Sequence, residues 1–174
     1  LKAGGERPLP AKIEAARRQD FELKPTDRAI VLRTFMPEAG THAIAVGLPT
    51  GVHFAFDAEH LRPAQLWKGR FLDAQGTWFS RFAPPASPLG DAVVTLPAGP
   101  ALAWLKSRDE DWPDGEEHAP AGRFRGYRLD TAGVPTFLYD IGDARIEDRF
   151  TADSDGVLVR RLTVTPREGQ LPAE

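Results

Sequence analysis

The sequence predicts a mainly β protein: an antiparallel β-sandwich built from two meanders, with one short N-terminal helix. Three observations carry this. Sixteen glycines and sixteen prolines punctuate the 174 residues, an interruption frequency that antiparallel strands need and a helix bundle would not tolerate. Between the interruptions lie short runs, rich in β-branched and aromatic residues, that alternate with period two. Long stretches of 3.6-residue periodicity are missing.

Residues 1–27 read as an N-terminal extension. Within it Pro10–Gln19 (PAKIEAARRQ) is the one convincing helix, with Pro at its start and good helix formers after it. Residues 28–166 read as the β domain. Lys24-Pro25-Thr26-Asp27 turns into a strand over Arg28–Phe35, and Met36-Pro37-Glu38-Ala39-Gly40 turns the chain into the central hairpin. Its arms are His42–Gly47 and Gly51–Asp57, joined through Leu48-Pro49-Thr50. Setting Val46 opposite Val52, Ile44 opposite Phe54 and His42 opposite Phe56 gathers the large apolar side chains on one face. A slip of one residue would scatter them. The other face then carries Ala43, Ala45, His53, Ala55 and Asp57, small apart from one imidazole. Either another sheet or a ligand lies close against it.

After Asp57, the run Ala58–Arg62 suits one helical turn before Pro63. Ala64–Lys68 and Arg70–Asp73 read as short strands about Gly69, and Ala74-Gln75-Gly76 as a tight turn into a strand over Thr77–Phe82. Ala83–Gly90 (APPASPLG) is a proline-stiffened surface loop. Two apolar runs, Ala92–Leu96 and Ala101–Lys106, flank Pro97-Ala98-Gly99-Pro100, and Trp104 in the second is expected in the core. Ser107–Gly122 is an acidic irregular connection around Trp112-Pro113, and Trp112 is expected at the surface. Arg123–Asp130, Val134–Ile141, Ala144–Phe150 and Val157–Thr165 form the second meander, because loops this short join only antiparallel neighbours. In its third strand Arg145, Glu147 and Arg149 share a solvated face, opposite Ala144, Ile146 and Phe150. Residues 167–174 read as a tail.

Composition bounds the function classes. A formal net charge of −3 argues against nucleic acid as partner, since phosphate binding needs a concentrated basic surface. The absence of cysteine excludes disulfides, cysteine-ligated zinc, iron–sulfur clusters and covalent haem attachment within these residues. No apolar run approaches the length of a membrane span. The chain begins at Leu1 rather than Met, which predicts a piece of a longer parent protein.

Two constellations could carry chemistry. Asp57, Glu59 and His60 in the segment FDAEH offer carboxylates and an imidazole for metal binding or acid–base work. Their spacing matches no metal signature, and the plainer reading is a strand ending in a turn capped by Asp57. The second is aromatic: Trp67, Trp78, Phe79 and Phe82, interleaved with Arg70 and Arg81. Such a set can stack on the apolar face of a sugar ring or serve as core and rim. Arg123, Arg125 and Arg128 read as a solvated strand face. Nothing in these residues calls for a cofactor.

Three phrases together carry a resemblance: RTFMPEAGTHAIAVGLPTGVHFAFDAEHLRPAQLWKGRFLDA, then PLGD, then FRGYRLDTAGVPTFLYDIGDARIEDRF. Over residues 28–165 the chain resembles a β-rich accessory module of large exported bacterial proteins. Those proteins also carry c-type cytochrome and sorbosone-dehydrogenase-like sugar dehydrogenase domains. The resemblance implies a periplasmic or extracellular setting and neighbouring domains of a larger parent as partners. It supplies no functional residues. The expectation is a non-catalytic accessory domain that binds carbohydrate, through Trp67, Arg70, Trp78, Arg81 and Phe82, or docks a partner domain. A small sugar-active enzyme using Asp57, Glu59 or His60 and a purely structural spacer are the competing readings.

Overall fold

The computed structural model describes residues 21–78, 84–113, 115 and 121–166. The expected helix over 10–19, the tail over 167–174, and Phe79, Arg81 and Phe82 lie outside them. The described strands are β1 (Glu22–Leu23), β2 (Ile30–Met36), β3 (Gly40–Gly47), β4 (Val52–Asp57), β5 (Arg62–Lys68), β6 (Leu72–Asp73), β7 (Asp91–Thr95), β8 (Gly122–Leu129), β9 (Pro135–Ile141), β10 (Ala144–Ala152) and β11 (Leu158–Pro166). One short helix, α1 (Gln75–Trp78), follows β6. The protein is mainly β, and every pairing between the described strands is antiparallel.

The strands form three sheets: a five-stranded one in the order β2-β3-β4-β5-β7, a four-stranded one in the order β11-β10-β9-β8, and the pair β1-β6. The C-terminal meander is as expected. The arrangement differs from two facing meanders in having the small third sheet, and the reason lies in β4. All six of its residues are buried, so the five-stranded sheet must be covered on both faces. On one face Ile44, Val46, Phe54 and Phe56 share a core with Phe137, Tyr139, Ile146 and Phe150 of the four-stranded sheet. Phe56 stacks on Phe137 at 4.2 Å, and Phe54 lies 4.7 Å from Phe150. On the other face Ala43, Ala45 and Ala55 leave room for Trp67, Phe71, Leu72 and Ala74, and this second core includes the end of β6. Small residues on one face and large ones on the other thus select two different covers.

The hairpin register differs from expectation by two residues. Val46 pairs with Phe54 and Ile44 with Phe56, not Val46 with Val52 and Ile44 with Phe54. The turn sets this. Gly51 N–H donates to Leu48 O at 3.0 Å and Leu48 N–H to Val52 O at 3.3 Å. Gly51 takes the left-handed φ of 76° that closes a three-residue loop. A two-residue shift preserves parity, so the apolar face and the opposite orientation of His53 stand unchanged.

Other local expectations change. The strand expected over Thr77–Phe82 is replaced at its start by α1, where Asp73 accepts from Gln75 N–H at 2.6 Å. Arg70–Asp73 contributes only the two residues of β6. The expected helical turn before Pro63 is a turn over residues 58–61, and β5 starts at Arg62. Pro63 falls beside a bulge in the β4–β5 ladder, where a missing N–H is tolerated. Ala101–Lys106 forms no strand, and only Leu102 of this run packs against the core. Trp104, expected inside, is 64% exposed. Among the described residues no helix is long and apolar enough to cross a membrane.

Candidate functional site

The FDAEH segment is built as a turn, and Asp57 holds it together. Asp57 is buried at the end of β4. Its Oδ1 accepts from Glu59 N–H at 3.0 Å and His60 N–H at 3.1 Å, while Oδ2 lies 2.7 Å from His60 Nδ1. The same Oδ2 sits 3.7 Å from Arg62 Nε. The carboxylate therefore caps the turn, orients the imidazole and balances a buried guanidinium. Glu59 turns away to pair with His42 at 3.1 Å on the surface. Among the described residues no group of three or more His, Asp and Glu side chains stands close enough to hold a metal ion.

Arg62 carries the arrangement into a cleft that the sequence did not reveal. Its guanidinium donates to Pro97 O and to Glu38 O, each at 3.5 Å. With Arg160 it lines a cavity of about 370 Å³ whose remaining walls are Pro63, residues 96–101, Trp112 and Pro113. Arg160 reaches it from β11. Its Nε and Nη2 donate to the two oxygens of Asp148 at 3.0 and 2.7 Å, and its guanidinium lies 5.4 Å from the centre of the Phe150 ring. Burial works to lower the Arg160 pKa, and the hydrogen bond and charge of Asp148 more than offset it. Tyr139 donates its hydroxyl to the same carboxylate at 3.0 Å. Burial, then the Asp148 charge, push that phenol far above its ordinary range.

Each cleft arginine thus has its own buried carboxylate, Asp57 or Asp148. The cleft offers N–H donors without surplus positive charge, set among proline rings and one half-exposed indole. A mostly apolar wall with a few fixed donors suits a neutral, hydroxyl-bearing ligand.

The aromatic set separates. Trp67 is 1% exposed, its indole N–H shared between Arg70 O and Phe71 O at 3.1 Å each. Phe71 stacks on it, the ring centres 5.9 Å apart. Trp78 is 61% exposed at the end of α1. Trp67 and Trp78 therefore share no exposed platform. Arg70 points its guanidinium at Glu22, with Nε–Oε1 3.1 Å and Nη2–Oε2 2.7 Å. Trp112, expected at the surface but assigned no role, lines the cleft. Its signal was the Trp-Pro pair in an otherwise acidic connection. Arg62 and Arg160 had no comparable signal, since their meeting depends on how the sheets pack.

No curated protein and no solved structure matches the chain. A family model described as a domain of unknown function, DUF6797, matches residues 54–148, from the middle of β4 to the buried Asp148 of β10. That is more than half of the chain, and the chain belongs to this family.

Proposed function

We propose that this chain is a non-catalytic accessory domain of an exported bacterial parent protein, and that it binds carbohydrate in the cleft between Arg62, Pro97, Trp112 and Arg160. In this reading its two larger sheets act as a β-sandwich scaffold. The observation that carries the reading is the half-exposed indole of Trp112 beside two charge-balanced guanidiniums. An indole face takes the apolar side of a pyranose, and fixed donors take its hydroxyls. Asp57 and Asp148 hold those donors in place before a ligand arrives, which lowers the ordering cost of binding. Trp67, Arg70 and Trp78, expected to hold the sugar, do not line this cleft, so this reading moves the sugar to a different site.

Tryptophan fluorescence titrated with a panel of neutral oligosaccharides tests this. The expected response saturates and is lost in Trp112→Ala, with the unfolding transition unchanged. A panel that moves neither wild type nor variant would leave the domain as a structural spacer. A second reading, a small sugar-active enzyme, draws support from the short Asp57–His60 contact, since a buried carboxylate that orients an imidazole is how a general base is held. Its distinguishing result is glycan hydrolysis lost in His60→Ala.

A further inference from the structure

The outward face of the four-stranded sheet is strongly basic in a chain whose formal net charge is −3. Strand register places the charges. Arg123 of β8 stands opposite Asp140 of β9, and Asp140 opposite Arg145 of β10. Further along, Arg128, Thr136, Arg149 and Arg161 form one row across all four strands. The acids are fewer. Arg125 pairs with Asp140, Arg128 with Glu147 at 2.9 Å, and Arg149 with Asp130 at the rim. Arg123, Arg145 and Arg161 remain, all exposed and with no ion pair among the described residues.

Folding does not account for this pattern. Like charges directly opposite on neighbouring strands destabilise a sheet, and Arg161 stands directly opposite Arg149. A merely solvated face has no need of that pairing.

We propose that this face binds an acidic polysaccharide through Arg123, Arg145 and Arg161. From strand spacing and rise, Arg123 lies about 10 Å from Arg145, and Arg145 about 14 Å from Arg161. One small anion cannot bridge such distances, whereas an extended polymer with repeated carboxylates can. The uncharged outward positions include Thr136, Leu138 and Thr163, with no aromatic ring among them, so the face lacks the stacking platform of single-stranded nucleic-acid sites. Three available cations are also few for duplex DNA, whose binders neutralise many phosphates. The sugar nature of the polymer rests on the carbohydrate reading above; the requirement for anionic charge does not.

The test is affinity electrophoresis of the full chain through gels containing polygalacturonate, neutral dextran or duplex DNA, repeated over a salt series. Wild type, the triple variant Arg123→Gln/Arg145→Gln/Arg161→Gln, and Trp112→Ala are compared. Wild type should be retarded by polygalacturonate at low salt, and the triple variant should bind about tenfold or more weakly, with a shallower salt dependence. The triple variant should fold at least as well, because Arg149 no longer opposes a like charge. Retention of polygalacturonate binding by Trp112→Ala supports the basic face whatever the cleft does with neutral sugars, so failure of one site is distinguishable from failure of the other. Equal retardation of the triple variant and wild type would overturn the proposal. So would tighter binding to duplex DNA than to polygalacturonate, or no retardation by polygalacturonate at low salt.

Discussion

Replacing His53 with glutamine should flatten the acid limb of the stability profile, and the structure says why. His53 is 1% exposed, lies on the alanine face of β4, and spans two turns. Leu48 N–H donates to Nδ1 at 3.3 Å, and Nε2 sits 2.8 Å from Gly69 O. An amide donor on one side and a carbonyl on the other require the neutral ring with its proton on Nε2. A second proton on Nδ1 would face the Leu48 N–H. Burial accordingly lowers the His53 pKa below the ordinary 6.5, and the Gly69 hydrogen bond only partly counters it. The sign follows from linkage. Above the unfolded value of 6.5 both states are neutral and the His53 contribution is complete. Below it the unfolded chain takes up a proton that the folded chain resists, so stability falls as pH falls toward the folded pKa. The limiting slope is about 1.4 kcal/mol per pH unit. His53→Gln removes the titration, and at neutral pH it should cost about 1–3 kcal/mol in disturbed hydrogen bonds and lost ring packing against Trp67 and Phe71. Urea unfolding from about pH 7.5 to about pH 5 measures both effects. Every other side chain is common to both proteins, so the difference between the curves isolates His53. Parallel curves would refute the argument.

Phe54→Ala should destabilise by about 3–5 kcal/mol, because the ring is fully buried between the Phe137 and Phe150 rings; a loss below about 1 kcal/mol in the same unfolding assay would mean the face can collapse around the cavity. Asp148→Asn should cost about 3–5 kcal/mol by leaving the largely buried Arg160 without its counter-charge, and Asp148→Asn/Arg160→Met should recover part of that loss. Trp67→Ala should cost about 3–5 kcal/mol, whereas Trp104→Ala should stay within about 0.5 kcal/mol, since the first indole is sealed in the second core and the second is exposed.

What the sequence made legible was parity and punctuation. Alternation alone placed Ile44, Val46, Phe54 and Phe56 together and turned His53 away from them, and short loops alone ordered β8 to β11. Parity is blind to a shift of two, so the hairpin register waited on the geometry of the Gly51 turn. Alternation also cannot say what covers a face. The alanines announced a close neighbour, but its identity depended on Phe71, Leu72 and Ala74 folding back, and that same fold-back withdrew Trp67 from the surface. Trp104 misled for a related reason: an apolar run was read as core, although it forms no strand and only Leu102 of it packs against the core. The cleft was least legible of all, because Arg62, Pro97, Trp112 and Arg160 come from four separate segments and meet only through tertiary packing.

The aromatic contacts between the two larger sheets also set the order of events in folding. Phe54 and Phe56 find Phe137 and Phe150 across a long separation in sequence, so the decisive contacts are non-local, and chain topology of this kind folds slowly, in milliseconds to seconds. On the ribosome the problem is sharper. The hairpin of β3 and β4 emerges first, with Ile44, Val46, Phe54 and Phe56 uncovered, and synthesis at about 5–20 residues per second keeps them so for several seconds. Until β9 and β10 have left the exit tunnel, the nascent chain carries a finished strand pair whose apolar side has no cover.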